Sequence, residues 1–139
     1  MKRKAITLAM LLMLPISANA EPDQDCRIRL EFSSDEVGAV VNYVLTLQIK
    51  NTAGRNVRSV SVNYFDSGLN QLGNTEMICL GTAGDGITSG SHGECWTALQ
   101  RVDSKLLKSF GTETWTAVVN SQLAQLESIR KCEVLGFGY

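Results

Sequence analysis

Four cysteines (Cys26, Cys79, Cys95 and Cys132), in a chain whose first 20 residues read as an export leader, constrain this sequence more than any other feature. Lys2, Arg3 and Lys4 form a basic start, residues 5–14 an apolar run, and Pro15 is followed by the small-residue ending Ser17-Ala18-Asn19-Ala20. These are the three parts of a secretory signal. The apolar run is too short to span a bilayer, which needs about 20 residues. Residues 1–20 are therefore expected to be a signal peptide, with cleavage after Ala20 releasing residues 21–139 into an oxidising space. Extracellular release is expected, with the periplasm as the alternative destination.

An even cysteine count in such a compartment reads as two disulfides. Three pairings exist, and spacing alone does not choose among them. The preferred set is Cys79–Cys95, closing the loop-rich middle, and Cys26–Cys132, tying the first strand to the last. In the loop-entropy picture a short loop like the former contributes about 3 kcal/mol and a long one like the latter about 5 kcal/mol.

The released chain has 119 residues, which suits one domain. It keeps ten basic against 14 acidic residues, a net charge of −4. That balance argues against nucleic acid or an anionic membrane as a partner recognised by bulk charge.

Two-residue alternation dominates the chain. Cys26, Ile28, Leu30 and Phe32 alternate with Arg27, Arg29 and Glu31, which predicts a half-buried strand. Residues 40–50 repeat the pattern with Val41, Tyr43, Leu45, Leu47 and Ile49 inward, and residues 57–65 do so with Val60, Val62 and Tyr64. Turns are expected at residues 51–56 and 66–68. Residues 69–72, 75–80, 94–100, 114–121 and 129–135 read as further strands. Asp103 is placed to cap one or two helical turns ending before Gly111, and residues 122–128 are helical or irregular. Residues 81–93 carry five glycines and one large side chain, Ile87, and read as a loop. About seven short strands with almost no helix predict an all-β antiparallel sandwich.

Residues 50–73, KNTAGRNVRSVSVNYFDSGLNQLG, resemble the core signature of bacterial immunoglobulin- or fibronectin type III-like modules. The matching residues are Asn51, Val57, Val60, Val62, Tyr64, Phe65, Asp66, Gly68, Leu72 and Gly73. The usual Pro-Gly before the next strand is replaced by Ser91-His92-Gly93, and the cysteines are additional. Leader, size and cysteine layout together are similar to a family of small secreted fibronectin type III-like proteins of pathogenic Escherichia coli that mimic interleukin receptors. The resemblance implies binding of host cytokines of the interleukin-2, -4 or -10 type, immune modulation and a virulence role. The alternative is a periplasmic accessory protein, either a chaperone for a secreted fibre or an immunity protein against a toxin. A homodimer that exchanges its first strand is a subordinate expectation, motivated by the unclosed edges of a sandwich.

The residues themselves offer little chemistry. His92 and Cys95 have H-x-x-C spacing, yet zinc needs three or four ligands and His92 is the sole histidine. Neither a Gly-x-Ser-x-Gly elbow nor a His-Glu-x-x-His helix motif occurs, and no thiol is spare. Asp35-Glu36 and Asp85 lack the oxygen ligands a calcium loop supplies. No enzyme activity, catalytic residue, cofactor or metal is expected. Trp96 and Trp115 read first as core and, if exposed, as partner anchors. The loop around Asp85, Ile87 and His92, together with Trp96, is the candidate partner-binding region.

Overall fold

The computed structural model describes residues 24–81 and 86–139. The expected leader, residues 1–20, lies outside the described residues, as does Asp85. Six antiparallel strands are described: β1 (Gln24–Ser34), β2 (Ala39–Lys50), β3 (Ser59–Phe65), β4 (Gln71–Leu80), β5 (His92–Val102) and β6 (Lys131–Gly138), with one helical segment, α1 (Ser104–Leu126), between β5 and β6. The strands close into a barrel in the order β1-β2-β5-β4-β3-β6.

The seven-strand sandwich is therefore corrected to a six-strand barrel. Inward alternation is common to both architectures, so the residue pattern of β1, β2 and β3 is right while the closure differs. Long ladders hold β1-β2-β5 and β4-β3-β6 as two three-stranded halves. Short ladders join the halves at two seams. At one, Gln24 and Asp25 face Cys132 and Lys131. At the other, Ile78, Cys79 and Leu80 face Trp96, Cys95 and Glu94. A sandwich would lack these bonds between its sheets.

Both preferred disulfides are present, and each crosses one seam. Cys26–Cys132 bridges β1 to β6 with the Cα atoms 5.7 Å apart, and Cys79–Cys95 bridges directly opposed residues of β4 and β5. All four cysteines are buried.

The core has two parts that share β2. Leu45, Leu47 and Ile49 point into the barrel with Val60, Val62, Met77 and the cysteines. Val41 and Tyr43 continue the same face towards α1 and meet Val119, Trp115 and Leu123. The Tyr43 hydroxyl donates to the Val119 carbonyl at 2.6 Å.

This second core explains the largest local departure from the sequence reading. Residues 114–121 are helical rather than a strand. Their Thr, Val and Trp content favours a strand locally. However, Trp115, Val119, Leu123 and Leu126 recur every three or four residues and form one helical stripe against β1, β2 and β5. Asp103 caps the segment as expected, accepting from Lys105 N at 2.9 Å. Gly111, with φ +83°, breaks the helix where a stop is expected. The chain then turns helical again, which the stop signal does not reveal. Residues 71–80 form one strand, with Gly73 and Asn74 paired to Tyr64 and Asn63 rather than interrupting it.

Two aspartates organise the hairpin turns. Asp35 accepts from Val37 N and Gly38 N, and from Ser104 Oγ at the start of α1. Asp66 accepts from Gly68 N, Asn70 N and the Asn70 amide. The backbone N–H of Val37 chiefly holds the Asp35 carboxyl below its usual range, and the Asn70 side chain does so for Asp66.

Removing either bridge should open its seam. In the loop-entropy picture Cys26→Ala/Cys132→Ala, with a separation of 106 residues, costs about 5 kcal/mol. Cys79→Ala/Cys95→Ala, with a separation of 16, costs about 3 kcal/mol. Denaturant midpoints measured on the oxidised proteins check the ranking.

A second expectation concerns acid. A carboxylate whose folded pKa is depressed contributes stability above its unfolded pKa of about 3.9 and loses it as pH falls through the folded value. Asp35→Ala and Asp66→Ala should each lower the melting temperature at pH 7. The gap to the parent should narrow below about pH 4, where the parent carboxyls themselves become protonated. Thermal melts across that window measure it.

Candidate functional surface

Strand parity sets what the barrel shows to solvent. Cys95 points inward on β5, so His92, Glu94 and Trp96 point outward. Met77 and Cys79 point inward on β4, so Ile78 and Leu80 point outward. The register places Trp96 between Thr46 of β2 and Ile78 of β4. Ile78 is 55% exposed and Leu80 47%, while Trp96 is half-buried beside them. Trp96 is thus on the outer face, which corrects its placement in the core. Trp115 is half-buried on the face of α1 that meets β2 in the second core.

Charged and polar groups border this apolar strip. The Glu94 carboxylate accepts from Gln48 Nε2 at 2.7 Å and from Arg29 Nη1 at 3.3 Å. Arg29 also pairs with Glu31 at 2.8 Å, and that contact, with Glu94 adding to it, raises its affinity for its proton. A shallow depression of about 510 Å³ lies over Arg27, Arg29, Thr46, Gln48 and Glu94. The surface therefore has an apolar centre on β4 and β5 and an ion-paired border on β1 and β2.

The other sequence-derived site residues separate. His92 is exposed at the start of β5, opposite Lys50 and on the same outer face as Trp96. Ile87 has no exposed surface and belongs to the main core. It exchanges backbone hydrogen bonds with Val57 at 2.7 and 3.0 Å. Buried Asn51 fixes the same region: its amide donates to the carbonyls of Ile87 and Arg55, and its carbonyl oxygen accepts from Ala53 N. Residues 86–91 are consequently anchored rather than a loose docking loop. Ile78, Leu80 and Glu94 are surface residues that the sequence reading did not single out. The parity of Cys79 and Cys95 was the signal that points to them.

Several residues carrying the fibronectin-like resemblance have structural roles, while Leu72 is exposed. Val57, Val60 and Val62 fill the core, Asn51 pins two loops and Asp66 builds a turn. Among the described residues, no three of His, Cys, Asp or Glu cluster as a metal site, and no helix is long and apolar enough to cross a membrane. Comparison with protein-family models, curated proteins and solved structures finds no match in any of the three.

Placement on the outer face predicts a small stability effect at Trp96. Trp96→Ala should cost about 1 kcal/mol or less, whereas Leu45→Ala in the core should cost about 2–5 kcal/mol. Urea denaturation of both variants separates the two environments.

Proposed function

We propose that this chain is an exported binding module that docks a folded host protein on the outer face around Trp96. The observation supporting it is the exposure of Ile78 and Leu80 beside a half-buried tryptophan, within a border of ion pairs. An apolar aromatic centre with a polar border is the usual anatomy of a protein-docking surface. Two intrachain disulfides agree with work in an oxidising, non-cytoplasmic compartment. The partner class, a host cytokine of the interleukin-2, -4 or -10 type, is supplied by the resemblance of the leader, size and cysteine layout. In this reading the barrel mimics a receptor surface, and no bond-making step is involved.

A second reading, a periplasmic accessory role with fibre subunits or a toxin, has one observation in its favour. Among the described residues, β4 has β3 along one side and pairs with β5 only from Ile78 to Leu80. The first part of β4 thus presents a sheet edge of the kind that accepts an extended segment.

Immobilised mature, oxidised protein should retain an interleukin of these types at micromolar concentration or below. Trp96→Ala and Ile78→Ser should each weaken retention about tenfold or more. Absence of binding across the panel overturns the cytokine assignment. Confinement of the native protein to the periplasm, with none in culture fluid, supports the accessory role instead.

A further inference from the structure

The geometry points to a second copy of this chain as the occupant of the open edge of β1, paired antiparallel about a two-fold axis through Leu30. This inference is independent of the cytokine reading. It begins with the shortness of the β1–β6 seam. Gln24 pairs with Cys132, and Cys26 N donates to the Arg130 carbonyl at 3.3 Å. Arg130 immediately precedes β6, so beyond Cys26 no residue of β6 lies along β1, and beside Ile28 stand Glu127 and Ile129 from the end of the α1–β6 connection. Thr46 Oγ1 donates to the Arg27 carbonyl, which places the odd-numbered backbone groups on the β2 side. Backbone groups alternate along a strand. The N–H and C=O groups of Ile28, Leu30 and Phe32 therefore face the side away from β2, and no described strand pairs with them there.

The sequence around Leu30 reads as a complementary palindrome: Ile28-Arg29-Leu30-Glu31-Phe32. In an antiparallel pair centred on Leu30, each Arg29 lies opposite the second copy's Glu31. Leu30 meets Leu30, and each Ile28 meets the second copy's Phe32. Odd-numbered residues would then form the non-hydrogen-bonded pairs, whose side chains lie closest together. Two opposite-charge pairs result instead of the like-charge repulsion that usually protects an edge.

Phe32 is 68% exposed near the end of β1. A hollow of about 460 Å³ lies beside Ile28, lined also by Arg27, Glu127, Ile129 and Arg130. It stands where the second copy's Phe32 would arrive. Cys26–Cys132 ties β1 to its own barrel, which favours pairing of edges over exchange of the whole strand. The contact is isologous and closes at two copies.

Sedimentation of the mature, oxidised protein tests this, read alongside residue-level amide exchange. A concentration-dependent monomer–dimer equilibrium is expected, with the Ile28, Leu30 and Phe32 amides slowing in exchange as dimer forms. Arg29→Glu and Glu31→Arg alone should each weaken dimerisation about tenfold or more. The double variant Arg29→Glu/Glu31→Arg restores the palindrome and should restore the dimer. Phe32→Pro removes an edge N–H without touching the β1–β2 ladder and should abolish pairing even if a charge variant folds poorly. Near-ultraviolet circular dichroism reports retention of the fold. A monomer at all concentrations to about 1 mM overturns the proposal. So does a dimer unaffected by the single charge reversals, or one in which the three amides stay unprotected. A dimer that survives denaturing electrophoresis without reductant would indicate strand exchange and also overturn it.

Discussion

The two sulfur bridges carry the closure on which the rest of this barrel depends. Within each half, long ladders supply many backbone bonds, but the halves meet through two short ladders. Short ladders between distant segments are the costliest to form, because loop-closure entropy is lost before enough contacts compensate. The β1–β6 seam joins residues from opposite ends of the described chain, and Cys26–Cys132 crosses it. α1 lies between β5 and β6, so its seat on Val41 and Tyr43 is tethered at one end by the same seam. An oxidising compartment is in this sense part of the fold.

How far the sequence reveals this structure depends on the range of the interaction that decides each element. β2 was legible because its inward residues, Val41 through Ile49, keep one period over the whole strand, and all are buried. β1 was legible for the same reason, although its last inward residue, Phe32, runs past the core. Sandwich and barrel could not be told apart from the period, since closure is a relation between residues about 100 positions apart. The helix after Gly111 was hidden differently. Its composition favours a strand, and the apolar stripe gains meaning only when Val41 and Tyr43 stand opposite it. Tertiary contact overrides local propensity there.

The candidate surface was half legible. Size and apolarity assigned Trp96 to the interior, but its neighbour Cys95 takes the inward position on the same strand, which leaves Trp96 outside. Parity outranks hydrophobicity once one residue's direction is fixed. Ile87 shows the opposite error. Its glycine-rich surroundings looked loose, yet those glycines permit close packing. A Cβ on Gly93 would come within 2.5 Å of Ile87 Cγ1, and one on Gly81 would strike the Gly86 carbonyl. Here glycine marks crowding, not slack. The positive φ of Gly86 serves the same approach to Val57.

Arg29 connects the Trp96 face and the β1 edge, the two surfaces proposed for partners. Its guanidinium reaches Glu94, at the border of the Trp96 face, and Glu31, at the β1 edge. Pairing with a second copy would draw it towards that copy's Glu31 and leave Glu94 with Gln48. A ligand contacting Glu94 and a second copy contacting Arg29 would then not bind independently. Each would alter the other's affinity by the same factor, since coupling between binding events is reciprocal. The sign follows from charge. A ligand that brings a cation to Glu94 replaces the arginine there and favours the paired edge. One that brings an anion holds Arg29 on the outer face and opposes it. In these two proposals taken together, a seam only a few residues long would leave one side chain, Arg29, to arbitrate between a docked partner and a second barrel.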